Sequence, residues 1–126
     1  MDCCFSAFKQ NFARGQSFSY GLEVVGDYYQ EYRAMMKHWH SVMPGRVKEV
    51  NYESIVNNLE YEVKVLLDHC GLAFEKACVD FHKTKRSVRT ASAQQVRQPI
   101  YKSGVEHWRN YETWLGPLKE ALANKD

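Results

Sequence analysis

One stretch of this 126-residue chain has the composition of a β-strand, and it limits the folds that the chain can adopt. Residues 46–52, R-V-K-E-V-N-Y, are short and rich in β-formers, with Val50 and Tyr52 on one face. No other segment predicts a convincing strand. A single strand cannot pair with itself, so the backbone donors and acceptors along both of its edges stay unmet. The sequence therefore predicts either pairing with a second copy or membership of a larger α/β domain.

Helical patterns account for most of the remaining chain. The strongest begins at Leu22, where apolar residues recur in steps of three and four as far as Trp39, and we assign this face to packing. A short helix is predicted over residues 3–12. Further helical patterns cover residues 53–70, closed by Gly71, then 74–81 and 105–122, with a restart at Gly116-Pro117. The expected fold is predominantly α-helical with one short strand at 46–52.

The positive charge of the chain is concentrated in one segment. Residues 81–105 hold six Lys or Arg side chains and no Asp or Glu, whereas the rest of the chain carries 11 basic and 15 acidic side chains. Lys, Arg, Ser and Thr without acidic neighbours suit recognition of phosphate or sulfate. A solvated basic loop is the alternative. Nucleic acid is not an expected partner. Sites for single strands usually carry aromatic side chains among the basic ones, and Tyr101 is the only Phe, Tyr or Trp between Lys83 and Lys102.

Other classes of protein lack support in the sequence. The cysteines at 3, 4, 70 and 78 form no C-x-x-C pair, and His38 and His40 point to different faces of a helix, so we expect reduced thiols and no metal site. No apolar run is long enough to cross a membrane, and no secretory signal is visible. We therefore expect a cytoplasmic protein without a membrane partner.

Three segments resemble one protein family. Residues 90–101, T-A-S-A-Q-Q-V-R-Q-P-I-Y, followed by Trp108, resemble the C-terminal cofactor loop of bacterial sulfotransferases related to tyrosylprotein sulfotransferases, which are often fused to tetratricopeptide repeats. D-C-C-F-S at residues 2–6 and V-N-Y-E at residues 50–53 resemble two further family motifs, in the same order and spacing. Together the three motifs extend the resemblance over the whole chain.

The resemblance implies an α/β fold of the P-loop-like sulfotransferase type and a transferase activity. In that family the sulfuryl group passes from 3'-phosphoadenosine 5'-phosphosulfate to an acceptor hydroxyl, on a protein, a carbohydrate or a small molecule, leaving adenosine 3',5'-bisphosphate. Such an in-line transfer depends mainly on positioning and charge stabilisation, by analogy with phosphoryl transfer.

The resemblance also assigns roles to residues of this chain. Ser6 would bind the 3'-phosphate, Tyr52 would lie near the adenine, and Ser92 would be the catalytic donor to the bridging region of the cofactor. The remaining cofactor-binding positions are Gln95, Val96, Arg97, Pro99 and His107. Simple structural alternatives exist for the first three residues: Ser6 as a solvent-facing helix residue, Tyr52 as a half-buried aromatic and Ser92 as a helix cap.

Two parts of the family's site have no counterpart in this sequence. No Gly-rich turn that would hold the 5'-phosphosulfate occurs, and the resemblance places the catalytic base in the same absent region. We therefore expect residues 1–126 to form a single partial domain, the C-terminal portion of a sulfotransferase domain, without activity on its own. The alternative is a noncatalytic helical interaction module that forms a homo-oligomer or pairs with a partner through its single strand.

Overall fold

The computed structural model describes residues 1–10, 12, 15–85, 87–90 and 93–123. Within these residues the regular structure is helical. The α-helices are α1 (Asp2–Lys9), α2 (Leu22–Val42), α3 (Tyr52–Asn57), α4 (Leu59–His69) and α5 (Gly116–Ala123). Short 3₁₀ segments cover Ser17–Tyr20, Lys76–Cys78, Phe81–Lys83, Gln95–Arg97 and His107–Trp114. The prediction of a predominantly helical chain is confirmed.

The predicted strand at 46–52 is wrong, since no strand occurs in the part of the chain that the structure describes. Residues 48–51 are irregular, and Tyr52 is the first residue of α3. Asn51 is extended, and its carbonyl oxygen accepts a hydrogen bond of 3.1 Å from the N–H of Ile55. Because the described residues provide no second strand to satisfy the backbone, the end of the segment is part of a helix instead.

The residue contacts divide the chain into two compact units. The first unit consists of Met1–Val47 and Ser103–Asp126. Its core is built where α1, α2 and α5 meet, with Cys4, Val25 and Leu118 buried at the centre. The apolar side chains that pack around this centre are Met1, Ala7, Phe18, Leu22, Tyr29 and Leu122. Leu118 therefore joins residues from both ends of the sequence into one core.

A glycine permits the close approach of α2 and α5. A Cβ atom at Gly26 would lie 2.5 Å from the Cβ of Ala121 and 3.3 Å from Cδ1 of Leu118. Any side chain at this position would force the helices apart. The restart at Gly116-Pro117 is confirmed, because α5 begins there and its proline occupies the first turn, where the missing N–H costs nothing.

Helix α2 is buried along only part of its length. Leu22, Val25 and Tyr29 pack into the core, as the periodicity predicts. Tyr32 and Trp39, in contrast, are 51% and 38% exposed, so their assignment to packing is wrong. The core residues of α2 end at Tyr29, whereas the helix continues to Val42.

The second unit, Lys48–Lys102, contains α3 and α4 and is thinly packed. The single helix predicted over 53–70 is broken at Asn58, where φ is −146° and ψ is 63°. Its predicted end is confirmed, since Gly71 has φ +69° and the N–H of Leu72 donates to the carbonyl of Leu67 at 2.9 Å. Val56 is the only fully buried apolar side chain in the described part of this unit.

The helix predicted over residues 74–81 is replaced by the 3₁₀ turns Lys76–Cys78 and Phe81–Lys83. A further 3₁₀ turn, Gln95–Arg97, lies in the basic segment of residues 81–105. Across the described chain, no helix combines the length and the apolar character that a membrane crossing requires.

Candidate functional site

A cavity of about 170 Å³ lies in the second unit, between the start of α3 and the loop of residues 95–101. Tyr52 contributes to one side as the first residue of α3. Among the described residues, the lining consists of Tyr52, Phe81, Gln95, Val96, Gln98, Pro99, Ile100 and Tyr101. Residues more than forty positions apart in the sequence therefore share one hollow.

The local sequence explains how the loop turns into the cavity. Residues 95–97 form a 3₁₀ turn, in which the N–H of Gln98 donates to the carbonyl of Gln95 at 3.1 Å. Gln98 itself is extended, with φ −114° and ψ 152°, because the ring of the following Pro99 disfavours a helical conformation there. The chain then leaves the turn, and Ile100 and Tyr101 join the lining.

A hydrogen bond joins two distant parts of the basic segment, residues 81–105. The guanidinium Nη1 of Arg97 donates to the backbone carbonyl of Thr84. The 3₁₀ turns Phe81–Lys83 and Gln95–Arg97 pack against each other at the same place. This contact positions Phe81 beside the loop, where its ring forms part of the cavity wall.

The cavity has the size and chemistry of a site for one flat ring system. An engineered protein cavity of roughly 150 Å³ holds a benzene molecule, so about 170 Å³ admits a ring but not an entire nucleotide. The aromatic side chains of Tyr52, Phe81 and Tyr101 offer faces for stacking. Gln95 and Gln98 bring amides, which both donate and accept hydrogen bonds at a ring edge.

The segment that supplies most of the cavity lining is rich in basic side chains. Lys83 Nζ pairs with a carboxylate oxygen of Asp80 at 2.9 Å, and this hydrogen bond holds the pKa of Asp80 below its usual range. The other described basic side chains of the segment include Lys85, Arg89 and Lys102, all exposed. With no acidic residue between positions 81 and 105, this segment carries a net positive charge.

Ser6 and His107 lie in the first unit. Ser6 is exposed on α1, and His107 opens the 3₁₀ segment His107–Trp114 with its ring stacked on Phe5, 6.0 Å between centroids. Lys9 Nζ lies 3.3 Å from His107 Nδ1. Because residues three apart on a helix are neighbours, Ser6 and Lys9 share a face of α1. Lys9 is a candidate anion contact that the sequence analysis missed, although its spacing from Ser6 was a usable signal.

The structure thus brings together four of the predicted cofactor-binding residues: Tyr52, Gln95, Val96 and Pro99. Arg97 lies in the same loop, with its side chain on Thr84. Ser92, the predicted catalytic residue, lies outside the described residues. Four further lining residues were not predicted as site residues, because their place beside Tyr52 depends on the packing of the loop: Phe81, Gln98, Ile100 and Tyr101.

The family model of the Sulfotransferase family matches residues 1–76, which is more than half of the chain. The chain belongs to the sulfotransferase family. This match includes Ser6 and Tyr52 and ends before the loop of residues 95–101.

A relative of this sulfotransferase-family chain is an uncharacterized protein of Aquifex aeolicus (strain VF5), 39% identical over 125 residues. The alignment covers 97% of this chain and 16% of the relative, so the chain spans about one sixth of that protein's length. No solved structure matches the chain. Among the described side chains, no group of three or more His, Cys, Asp or Glu is arranged to hold a metal ion.

Proposed function

We propose that this chain contributes the adenine and C-terminal-loop part of a 3'-phosphoadenosine 5'-phosphosulfate site, used for sulfuryl transfer to an acceptor hydroxyl. The observation that carries the proposal is the cavity shared by Tyr52 and the loop residues Gln95, Val96 and Pro99. The family resemblance assigns all four residues to one cofactor. The nucleotide, when bound, supplies the sulfuryl group.

The residues of the cavity fit the adenine ring. Tyr52 and Tyr101 provide aromatic faces, and the amides of Gln95 and Gln98 are suited to the nitrogen-bearing edge of a purine. Stacking of a base on an aromatic side chain contributes roughly 1–3 kcal/mol. We therefore expect the adenine to account for a large part of the affinity for the nucleotide.

The phosphate contacts in the proposal follow the family resemblance. The hydroxyl of Ser92 is proposed to donate a hydrogen bond to the bridging oxygen, where negative charge develops during transfer. Arg97 is proposed to keep the loop closed through its bond to Thr84 and to add positive charge beside the nucleotide. In the first unit, Ser6 is proposed to bind the 3'-phosphate, with the Lys9 ammonium as a cationic neighbour and His107, in contact with Lys9, as a further cofactor-binding residue.

We propose that residues 1–126 form one part of a sulfotransferase domain and do not catalyse transfer alone. The sequence holds no Gly-rich turn for the 5'-phosphosulfate, and the chain spans about one sixth of its Aquifex relative. The acceptor hydroxyl is on a protein, a carbohydrate or a small molecule, and the bacterial enzymes related to tyrosylprotein sulfotransferases are the proposed subgroup. The proposed location is the cytoplasm.

Titration with adenosine 3',5'-bisphosphate tests the adenine assignment. A ligand that binds only the folded state raises the melting temperature, so the wild-type chain should show a concentration-dependent increase. Tyr52→Ala should weaken binding by about tenfold or more, given the stacking energy. Tyr61→Ala is the matched control, because Tyr61 is an exposed tyrosine of α4 in the same unit and does not line the cavity.

Two results would contradict the adenine assignment: no change in melting temperature at millimolar ligand, or equal losses of affinity in Tyr52→Ala and Tyr61→Ala.

The 3'-phosphate role of Ser6 has its own test. Ser6→Ala should reduce the preference for the bisphosphate over adenosine 5'-monophosphate, whereas Ser17→Ala, at another exposed serine of the first unit, should not. Sulfation of an acceptor by the chain alone would contradict the expected lack of activity.

The alternative function, a noncatalytic helical interaction module, loses its predicted strand, because residues 48–51 are irregular and Tyr52 begins α3. Self-association does not need that strand, however. The observation in favour of an interaction module is the set of exposed apolar side chains on α2, which includes Tyr32, Met35 and Val42.

A further inference from the structure

The first unit contains one residue in an uncommon backbone conformation. Glu106 has φ 56° and ψ 19°, in the left-handed region, and among the described residues it is the only one other than glycine with a positive φ. Such a conformation persists only where the surrounding structure holds it, and residues of this kind cluster at functional sites. The contacts that hold Glu106 therefore bear on the function of this unit.

Glu106 is held by contacts with two residues. Its N–H donates a hydrogen bond of 2.9 Å to Oδ2 of Asp2, which lies 104 positions away in the sequence and is the first residue of α1. Its carbonyl accepts a bond of 3.0 Å from the N–H of Arg109, and its carboxylate pairs with the Arg109 guanidinium at 2.7 Å. That ion pair is exposed, and exposed pairs contribute little. The bond to the half-buried Asp2 is therefore the stronger constraint on residue 106.

The conformation of Glu106 sets the direction in which the next residue, His107, leaves the backbone. The His107 ring lies 6.0 Å from the ring of Phe5 and 5.6 Å from that of Tyr111, measured between centroids. Its Nδ1 lies 3.3 Å from Lys9 Nζ. An ammonium group has donors only, so Nδ1 is the acceptor in this contact, and the ring proton lies on Nε2. Nε2 is thus the nitrogen of His107 that can donate to a phosphate oxygen.

One face of α1 supplies the partners of Glu106 and His107. Asp2 and Lys9 are seven positions apart, two turns of the helix, and Phe5 lies between them on the same face. Ser6 also lies on this face, four positions after Asp2 and three before Lys9, and it is exposed. The hydrogen bond of Asp2 therefore anchors the backbone before His107 to the helix that carries the proposed 3'-phosphate ligand.

We propose that Asp2 is a positioning residue for the 3'-phosphate part of the cofactor site: its carboxylate holds Glu106 in the left-handed conformation and so places the His107 ring beside Lys9. This inference rests on the proposed roles of Ser6 and His107 in nucleotide binding. Asp2 acts through His107 and does not contact the phosphate, because like charges repel. A ring that is held in place before binding loses less conformational entropy when the ligand binds. The contact should therefore increase the affinity for the 3'-phosphate in particular.

The preference for adenosine 3',5'-bisphosphate over adenosine 5'-monophosphate, measured as a ratio of dissociation constants, tests the proposal. Asp2→Ala should lower this preference about three- to tenfold, the effect of releasing one immobilised side chain. Asp2→Asn should keep it, because the amide oxygen can accept the same N–H. Glu23→Ala is the matched control, since it removes an exposed acidic side chain from the first turn of α2 in the same unit, and it should leave the preference unchanged.

Variants of Glu106 test the same step without altering α1. Glu106→Val should lower the preference as Asp2→Ala does, because β-branched residues do not adopt the left-handed conformation readily. Glu106→Gly should retain the preference, and it should restore part of it to Asp2→Ala, since glycine adopts this conformation without strain. In the nucleotide-free chain, the NMR signals of the His107 ring should shift in Asp2→Ala and Glu106→Val but not in Asp2→Asn.

A double variant shows whether Asp2 acts through His107. His107→Ala should lower the preference, and the addition of Asp2→Ala should lower it no further. A further loss in the double variant would overturn the proposal, as would a wild-type preference that Asp2→Ala and Glu106→Val both retain. In either case the proposed 3'-phosphate site would still stand. A wild-type chain without the preference would instead overturn that site, and the role of Asp2 with it.

Discussion

The side-chain amide of Gln30 donates a hydrogen bond of 2.6 Å to the backbone carbonyl of Leu122, joining the middle of α2 to the last turn of α5. A second, longer bond of 3.4 Å reaches the carbonyl of Ala121. The last carbonyls of a helix have no partner within the helix, so a buried amide is well suited to satisfy them. Gln30 is 5% exposed, and its own oxygen accepts a bond of 3.2 Å from Arg33.

Replacement of Gln30 should therefore destabilise the fold. Gln30→Leu retains much of the volume but removes the donor to the Leu122 carbonyl and the acceptor for Arg33, a loss of about 1–3 kcal/mol in the free energy of unfolding. Urea denaturation followed by circular dichroism measures the change. Gln10→Leu, the same substitution at an exposed glutamine, is the control. Equal stability of the two variants would contradict the capping role.

The close contact at Gly26 gives a second prediction. Gly26→Ala should destabilise the first unit by about 1–3 kcal/mol, because the new Cβ would overlap Ala121 and force α2 away from α5. Gly116→Ala should be neutral or slightly stabilising, since a Cβ there meets no atom within 4 Å. Thermal unfolding distinguishes the two variants. A double variant, Gly26→Ala with Ala121→Gly, should recover part of the lost stability.

Substitution of two adjacent cysteines should change the stability of the fold by different amounts. Cys4 is 2% exposed and packs in the core, whereas Cys3 is exposed. Cys4→Ser should cost about 1–3 kcal/mol, because it places a hydroxyl among apolar side chains, while Cys3→Ser should change stability by less than about 0.5 kcal/mol. In the folded chain iodoacetamide should label Cys3 before Cys4. Faster labelling of Cys4 would show that the core opens readily.

The stability of the first unit should fall in alkaline solution. Burial raises the pKa of the Cys4 thiol and of the Tyr29 phenol. The folded state therefore keeps these protons to a higher pH than the unfolded state does, so the stabilising contribution is complete at neutral pH and is lost as the pH rises through the raised values.

Denaturation at neutral and alkaline pH measures this loss. Tyr29→Phe should reduce the alkaline decrease in the free energy of unfolding, because it removes the titrating phenol and keeps the ring. Tyr61→Phe, at an exposed tyrosine, should leave the decrease unchanged. Identical pH profiles for wild type and Tyr29→Phe would contradict the assignment.

Local patterns in the sequence determined one long helix and two helix ends. The three-and-four periodicity after Leu22 predicted α2, and Gly71 and Pro117 marked a helix end and a helix start correctly. These features depend on backbone preferences within a few residues, so neighbouring residues suffice to specify them. The three motifs likewise identified the sulfotransferase family, which the family model confirms over residues 1–76.

Tertiary structure alone decided the features that depend on distant partners. Residues 46–52 have strand-forming side chains, but a strand needs a second strand and none is described, so Tyr52 begins a helix instead. Phe81 and Ile100 meet Tyr52 only because the loop of residues 95–101 folds back against residues 81–84. In α2, the identical periodicity places Tyr29 in the core and Trp39 at the surface, because burial depends on which neighbouring elements are long enough to cover a helix.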